Sequence, residues 1–203
     1  MSSFWDERYS TAEYAYGREP NEYLKAKLKG VEPGKILFAA EGEGRNAVYA
    51  ARCGWTVSAF DLSVEGKRKT EELAKEYGVA VDYKLGELPS LGYSAGQFDA
   101  VAFIYAHFPA ALKENYCKLL DSYLRKGGTM IFEAFSKDHL RYNRENPKVG
   151  GPKEENMLFS TEEISSYFKD YTVLELEQKE ITLQEGLYHN GPGSVIRFCG
   201  IKN

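Results

Sequence analysis

Lys35 to Ser63 reads KILFAAEGEGRNAVYAARCGWTVSAFDLS, and this stretch decides the fold. A short apolar run, Ile36 to Ala40, meets Glu41-Gly42-Glu43-Gly44. A helical pattern opens near Arg45 and closes at Cys53-Gly54; a second apolar run, Thr56 to Phe60, ends in Asp61. Strand, glycine turn, helix, strand and acid make one βαβ unit with a nucleotide-binding signature. Glycines at 42 and 44 permit a sharp turn and let a ligand approach the backbone. Asp61 lies 17 residues beyond Gly44, close to the roughly 20 expected of an acid that accepts ribose hydroxyls. Gly42-x-Gly44-x-x-Ala47 also satisfies the dinucleotide fingerprint, so this turn by itself leaves NAD open.

Outward from that unit the strand–helix rhythm continues. Ser63 is placed to cap a helix running to Tyr77 and closed by Gly78. A third strand, Val81 to Leu85, leads into Gly86-Glu87-Leu88-Pro89, and a fourth, Ala100 to Tyr105, into His107-Phe108-Pro109. A helix from about Ala110 to Leu124 and a tight turn at Arg125–Gly128 precede a fifth strand, Thr129 to Phe135. This alternation predicts an α/β, Rossmann-like, doubly wound and mostly parallel sheet. Residues 136–159 are polar and read as a long loop on the substrate side. Ser160 to Glu163 is a capping box opening a short helix to Phe168. The strand candidates Val173–Ile181 and Val195–Ile201 have no helix between them, which predicts an antiparallel C-terminal hairpin and brings the sheet to seven strands. Glu185 to Gly191 reads as their loop.

At 203 residues, with 43% hydrophobic and 28% charged content, the chain reads as a single globular domain. Residues 1–34 precede the first strand and are rich in aromatics, and are expected to form a lid, with Tyr9, Tyr16 or Arg18 touching a ligand. Glu22 to Leu28 reads as a short helix within it. The net charge of −4 and the lack of a basic tail argue against nucleic acid. Cys53, Cys117 and Cys199 are too scattered for a disulfide framework or a metal site. No run is apolar enough for a membrane span or a signal peptide, so the expectation is a cytoplasmic protein, monomer or homodimer.

A parallel sheet with a terminal antiparallel hairpin, a glycine turn after the first strand, an acid ending the second and Phe98-Asp99 before the fourth resembles the class I S-adenosylmethionine-dependent methyltransferases. AEGEGRN, His107-Phe108-Pro109, Glu133-Ala134-Phe135, Gly150-Gly151-Pro152 and Glu185-Gly186 with His189-x-Gly191 are similar to the subgroup around tellurite-resistance and related small-molecule methyltransferases. The resemblance implies that Glu41, Gly42 and Gly44 line the methionine end of S-adenosylmethionine, with Asn46 among the cofactor-binding residues. It implies Asp61 on the ribose, Leu62 on the adenine, and Gly86, Glu87 and Leu88 in the adenine-contact loop. Tyr105 then lies beside the transferred methyl. Phe38 stands where many members carry an acid, Ala40 replaces the usual first glycine, and Glu87 replaces an aspartate; Glu41 offers the carboxylate for the cofactor's ammonium.

Methyl transfer is an in-line displacement that mainly needs positioning and exclusion of water. If a base is required, His107 at the carboxyl edge of the sheet is the first candidate and His189 the second. Glu133 is expected to face that edge and to bind a substrate or a loop amide. Two alternatives stand beside a small-molecule methyltransferase. One is an NAD-dependent oxidoreductase, weakened by a hairpin where a second βαβαβ half should be. The other is a non-catalytic cofactor-binding protein.

Overall fold

The computed structural model describes residues 2–203. Seven strands form one sheet in the order β3-β2-β1-β4-β5-β7-β6. They are β1 (Lys35–Ala39), β2 (Thr56–Asp61), β3 (Asp82–Leu85), β4 (Phe98–Ile104), β5 (Leu124–Phe135), β6 (Tyr171–Glu185) and β7 (His189–Lys202). The first five are parallel, and β7 runs antiparallel between β5 and β6. Seven helices accompany them: α1 (Ser2–Tyr9), α2 (Glu22–Leu28), α3 (Arg45–Arg52), α4 (Val64–Glu76), α5 (Ala110–Tyr123), α6 (His139–Glu145) and α7 (Thr161–Tyr167).

Period-two alternation sends each strand's side chains to both faces. Leu37, Phe103 and Phe132 pack with Tyr116, Leu120, Ile164 and Phe168 of α5 and the α7 region. Ile36, Phe38, Ala100 and Ala102 pack with Leu24 and Leu28 of α2 and with Ala47 and Ala50 of α3. Phe38, at the position where an acid was expected from the resemblance, is therefore a buried core residue. Asp99 ties the amino ends of three strands together. It accepts the Lys35 amide at 2.7 Å and the Arg125 guanidinium at 2.6 Å.

The chain changes direction across the sheet between β1 and β4, which opens a crevice at their carboxyl ends. The two non-glycine residues with positive φ, Ala40 (47°) and Tyr105 (51°), follow these two strands. Such strain persists where surrounding structure over-determines it, commonly at functional sites.

Three expectations need correction. The long loop 136–159 contains α6 and two short 3-10 turns, Pro147–Val149 and Glu155–Met157. Nothing in its polar sequence announces α6; His139 at its start is held by stacking on Phe135, with ring centroids 3.9 Å apart. The hairpin is much longer than Val173–Ile181 with Val195–Ile201, and the supposed loop 185–191 is mostly strand, leaving residues 186–188 as the turn. Gly191-Pro192-Gly193 reads as loop but is tolerated in β7. Pairing with β5 stops at Val195, so Pro192 needs a hydrogen-bonded neighbour on one side alone. The turn at Arg125–Gly128 is a kink inside β5, which already pairs at Leu124 with Phe98.

Candidate active site

The glycine turn is built by its own side chain. Glu41 Oε1 accepts the amides of Asn46 and Ala47 at 2.9 and 2.8 Å, capping α3, whose N-cap Gly44 has no side chain to do so. Burial raises the Glu41 pKa to about 7, against those amides and Arg45. Gly42 and Gly44 adopt φ of 65° and 85°, and a Cβ on Gly42 would lie 2.6 Å from the Tyr9 hydroxyl. Asp61 closes β2. It accepts the Gly42 amide on one oxygen at 3.0 Å and the Leu62 and Ser63 amides on the other at 2.7 and 3.0 Å. Burial nevertheless raises its pKa. Gly86 donates to the Asp61 carbonyl at 3.1 Å, while Leu88 is buried and Glu87 exposed, accepting the Tyr116 hydroxyl at 3.3 Å.

The N-terminal segment lies over this turn, held by the remaining side chains of EGEGRN. Glu43 accepts the Ala15 amide at 2.8 Å and pairs with Lys69 at 2.7 Å; Lys69 also donates to the Glu13 carbonyl at 2.6 Å. Arg45 donates to the Tyr16 carbonyl at 3.1 Å and pairs with Glu185 at 3.0 Å. Asn46 accepts the Asn21 amide at 2.9 Å, so its side-chain oxygen is engaged by the N-terminal segment. In α1, Trp5 stacks on Tyr9, and Asp6 accepts the Ser63 hydroxyl at 2.6 Å at the start of α4. The hairpin tip meets the same segment: Leu187 donates to the Ala15 carbonyl at 2.8 Å, and Arg8 lies over the Tyr188 ring at 4.2 Å.

Of the expected lid residues, Tyr9 is buried beside Gly42, and Tyr16 accepts from Arg8 at 2.9 Å while its ring lies 4.5 Å from His189. Arg18 is not brought into the site; it is exposed and pairs with Glu76 on α4. Glu133 lies within β5, buried, where Arg197 at 2.6 Å and Asn21 at 2.7 Å occupy its carboxylate. It anchors the cap of α2, because Asn21 Oδ1 in turn accepts the Leu24 amide.

The three histidines of the chain converge on Phe135. His189 is the first residue of β7 rather than a loop residue, and its Nδ1 is 2.9 Å from Glu185. Burial works against the Glu185 carboxylate, but Arg45 and His189 overcome it and hold its pKa at about 2. His107 stands after β4 as expected, and burial pushes its pKa down to about 3. Tyr105 packs against Phe135 and His189 at 4.8 and 4.7 Å. Burial, and then the charge of Glu133, raise its pKa well above the ordinary value. Arg45, Glu43, Lys69, Glu185 and Phe135 were not expected here. Glu43 and Arg45 had a signal in the charged side chains inside the glycine turn, Glu185 and Phe135 lie in motifs that carried the resemblance, and Lys69 had none.

Residues 36–128 match the model of a family described as a methyltransferase domain. That stretch, somewhat under half of the chain, is similar to a methyltransferase domain. Uncharacterized proteins of Mycobacterium bovis and Mycobacterium tuberculosis are 28% identical over 106 residues, which is 52% of this chain and 39% of theirs. This chain thus aligns with well under half the length of the curated relatives it matches. TehB of Haemophilus influenzae superposes with a TM-score of 0.71 at 16% identity, over all of this chain and 67% of that one. Magnesium protoporphyrin IX methyltransferase of Synechocystis, solved with bound S-adenosylhomocysteine, gives 0.66 at 15% identity, over 90% of this chain and 83% of that one. A protein solved in work on conversion of a disulfide bond into a thioacetal group during echinomycin biosynthesis gives 0.77 at 15% identity, covering 100% and 92%. These likenesses are of fold. Among the described residues, no helix is long and apolar enough to cross a membrane.

Proposed function

We propose that this chain transfers a methyl group from S-adenosylmethionine to a small-molecule acceptor. The observation that carries the reading is the glycine turn and Asp61 at the switch point, enclosed beneath two covering segments. The residues fit the cofactor. Gly42 and Gly44 make the turn with positive φ, Asp61 is fixed by three amides at the end of β2, and one Glu41 oxygen is left over from capping α3.

In this reading Asp61 holds the ribose hydroxyls and Glu41 the ammonium group, with Leu62 and Leu88 beside the adenine. The bound cofactor supplies a methyl group on a sulfonium, which a nucleophile displaces in line. The protein's part is to orient the two reactants and exclude water. The N-terminal segment and the hairpin tip do the excluding, which favours a small acceptor over a polymer. Solved neighbours concerned with a porphyrin and with echinomycin biosynthesis support the same class. A dinucleotide reading is disfavoured because the sheet ends in an antiparallel hairpin rather than a second parallel half.

Calorimetric titration tests this. S-adenosylmethionine is expected to bind the wild type at micromolar concentrations and Asp61→Ala at least 10-fold more weakly, with the variant's circular dichroism unchanged. NAD binding in place of S-adenosylmethionine would sink the proposal.

A further inference from the structure

The acceptor side of the crevice is marked by polar atoms that lack partners. His139 is fully engaged with backbone: Nε2 lies 3.0 Å from the Gly150 carbonyl, and Nδ1 accepts the Ser194 amide at 3.3 Å. His189 is engaged by Glu185. His107 differs. Its ring lies parallel to Phe135, with centroids 5.7 Å apart, and both its nitrogens are buried with no hydrogen-bond partner. The Tyr105 hydroxyl, on the strained residue that follows β4, is buried and unpartnered as well. A buried polar group left unpaired costs about 1–3 kcal/mol. Two of them, two residues apart at the carboxyl edge, are what an open subsite for a ligand looks like.

Neither group carries a charge at neutral pH, since the His107 pKa is held at about 3 and that of Tyr105 well above its ordinary value. The charges around them are already matched. Arg45 and His189 share Glu185, and Arg197 pairs with Glu133. Arg8 is taken up by aromatic groups, donating to the Tyr16 hydroxyl and packed over the rings of Phe4, Trp5 and Tyr188.

We propose that Tyr105, His107 and Phe135 form the acceptor subsite and that its substrate is an uncharged thiol on a flat or apolar carrier. This rests on the methyl-transfer reading above. An oxyanion would want an unpaired guanidinium or ammonium at this corner. An alkylamine arrives as a cation and would want a free carboxylate. A hydroxyl needs a base of matched strength before it attacks. A thiol suits what is present: polarizable sulfur packs well against aromatic edges, and its weak S–H donor meets the open nitrogen of His107. The thiol sulfur forms its bond to the methyl carbon as the donor's carbon–sulfur bond breaks, its electron pair staying on the donor sulfur. The thiol proton passes to His107 as the new bond forms, and then to solvent.

Two measurements on the full chain test this. Thioanisole, the methylated product of benzenethiol, is titrated while histidine ring resonances are followed by NMR. The His107 signal, identified by its loss in His107→Phe, is expected to move and the His139 signal to stay. In the second, formation of S-adenosylhomocysteine is measured with benzenethiol, 2-mercaptoethanol, phenol and selenite as acceptors. The thiols are expected to turn over, and His107→Phe to slow them at least 10-fold while S-adenosylmethionine affinity changes less than 2-fold. Undisturbed cofactor binding with no thiol turnover and a static His107 signal would overturn the acceptor assignment and leave the methyltransferase reading intact. Turnover of selenite that disappears in Arg8→Ala would overturn it in favour of an anionic acceptor. Failure of S-adenosylmethionine to bind would remove the reading on which it rests.

Discussion

Glu41-Gly42 and Glu185-Gly186 are the same dipeptide with opposite architectural roles. Both glycines hold a left-handed φ, 65° and 62°, and both are covered by the N-terminal segment, Gly42 by the Tyr9 ring and Gly186 by the backbone of residues 15–17. The carboxylates differ. Glu41 serves amides five and six residues away and builds its own turn. Glu185 gathers Asn21, Arg45 and His189, joining the N-terminal segment, the glycine turn and the hairpin in one network. Burial dominates at the first and pushes the pKa up to about 7; cations dominate at the second and hold it near 2. One acid is local structure, and the other is tertiary structure.

The largest expected effect follows from breaking the second. Glu185→Gln removes the ion-pair partner of buried Arg45, which should cost about 3–5 kcal/mol in urea unfolding. The same variant should expose α1 to limited proteolysis, because the hairpin tip loses its hold on the N-terminal segment. Gly186→Ala is next, at about 2 kcal/mol, because a Cβ there falls within 2.6 Å of the Ala15 carbonyl oxygen and the backbone φ is unsuited to alanine.

Acid should weaken the corner where the hairpin meets β5. An unfolded histidine binds its proton near pH 6.5, whereas folded His107 and His139 do so near 3 and 4. Between those limits the unfolded chain holds more protons, so stability falls as pH drops from about 6.5 toward 4. Each histidine contributes up to about 1.4 kcal/mol per pH unit. His107→Phe and His139→Phe should each flatten that slope in thermal melts.

The smallest effect sharpens the comparison from its other side. Glu41→Gln keeps an oxygen for the Asn46 and Ala47 amides, so at pH 5 its stability should lie within about 1 kcal/mol of wild type. Glu41 is raised on folding, so its contribution is full below about 4.5 and is lost as pH rises through about 7. The variant should lack that loss and stand level with or above the wild type at pH 8. A large deficit at pH 8 would show that Glu41, like Glu185, has a partner beyond its own turn.

The parallel half was legible because its signals are local. Ser63 does cap α4, accepting the Gly66 amide at 3.0 Å, and Ser160 with Glu163 does form the capping box of α7. The βαβ unit of residues 35–63 falls within a residue of its expected boundaries, since an apolar run, a glycine turn and a helical repeat are each short-range facts. The C-terminal hairpin was found but cut short, because Gly191-Pro192-Gly193 carries a loop signature.

The sequence by itself determined the strand–helix alternation of the parallel half, the turn glycines and the acid closing β2. Chain stiffness and hydrophobic period act over a few residues and can be read in a line. Tertiary structure alone decided that Glu43, Arg45 and Asn46 fasten the N-terminal segment, that Glu133 pairs with Arg197 and takes the Asn21 side-chain amide, that Arg18 points outward, and that three histidines spread over 83 positions meet at one phenylalanine. Those outcomes depend on which distant charge or ring meets each side chain once the sheet has closed. The partners lie up to 180 residues apart, as Arg8 and Tyr188 do, and no local pattern encodes a pairing at that range.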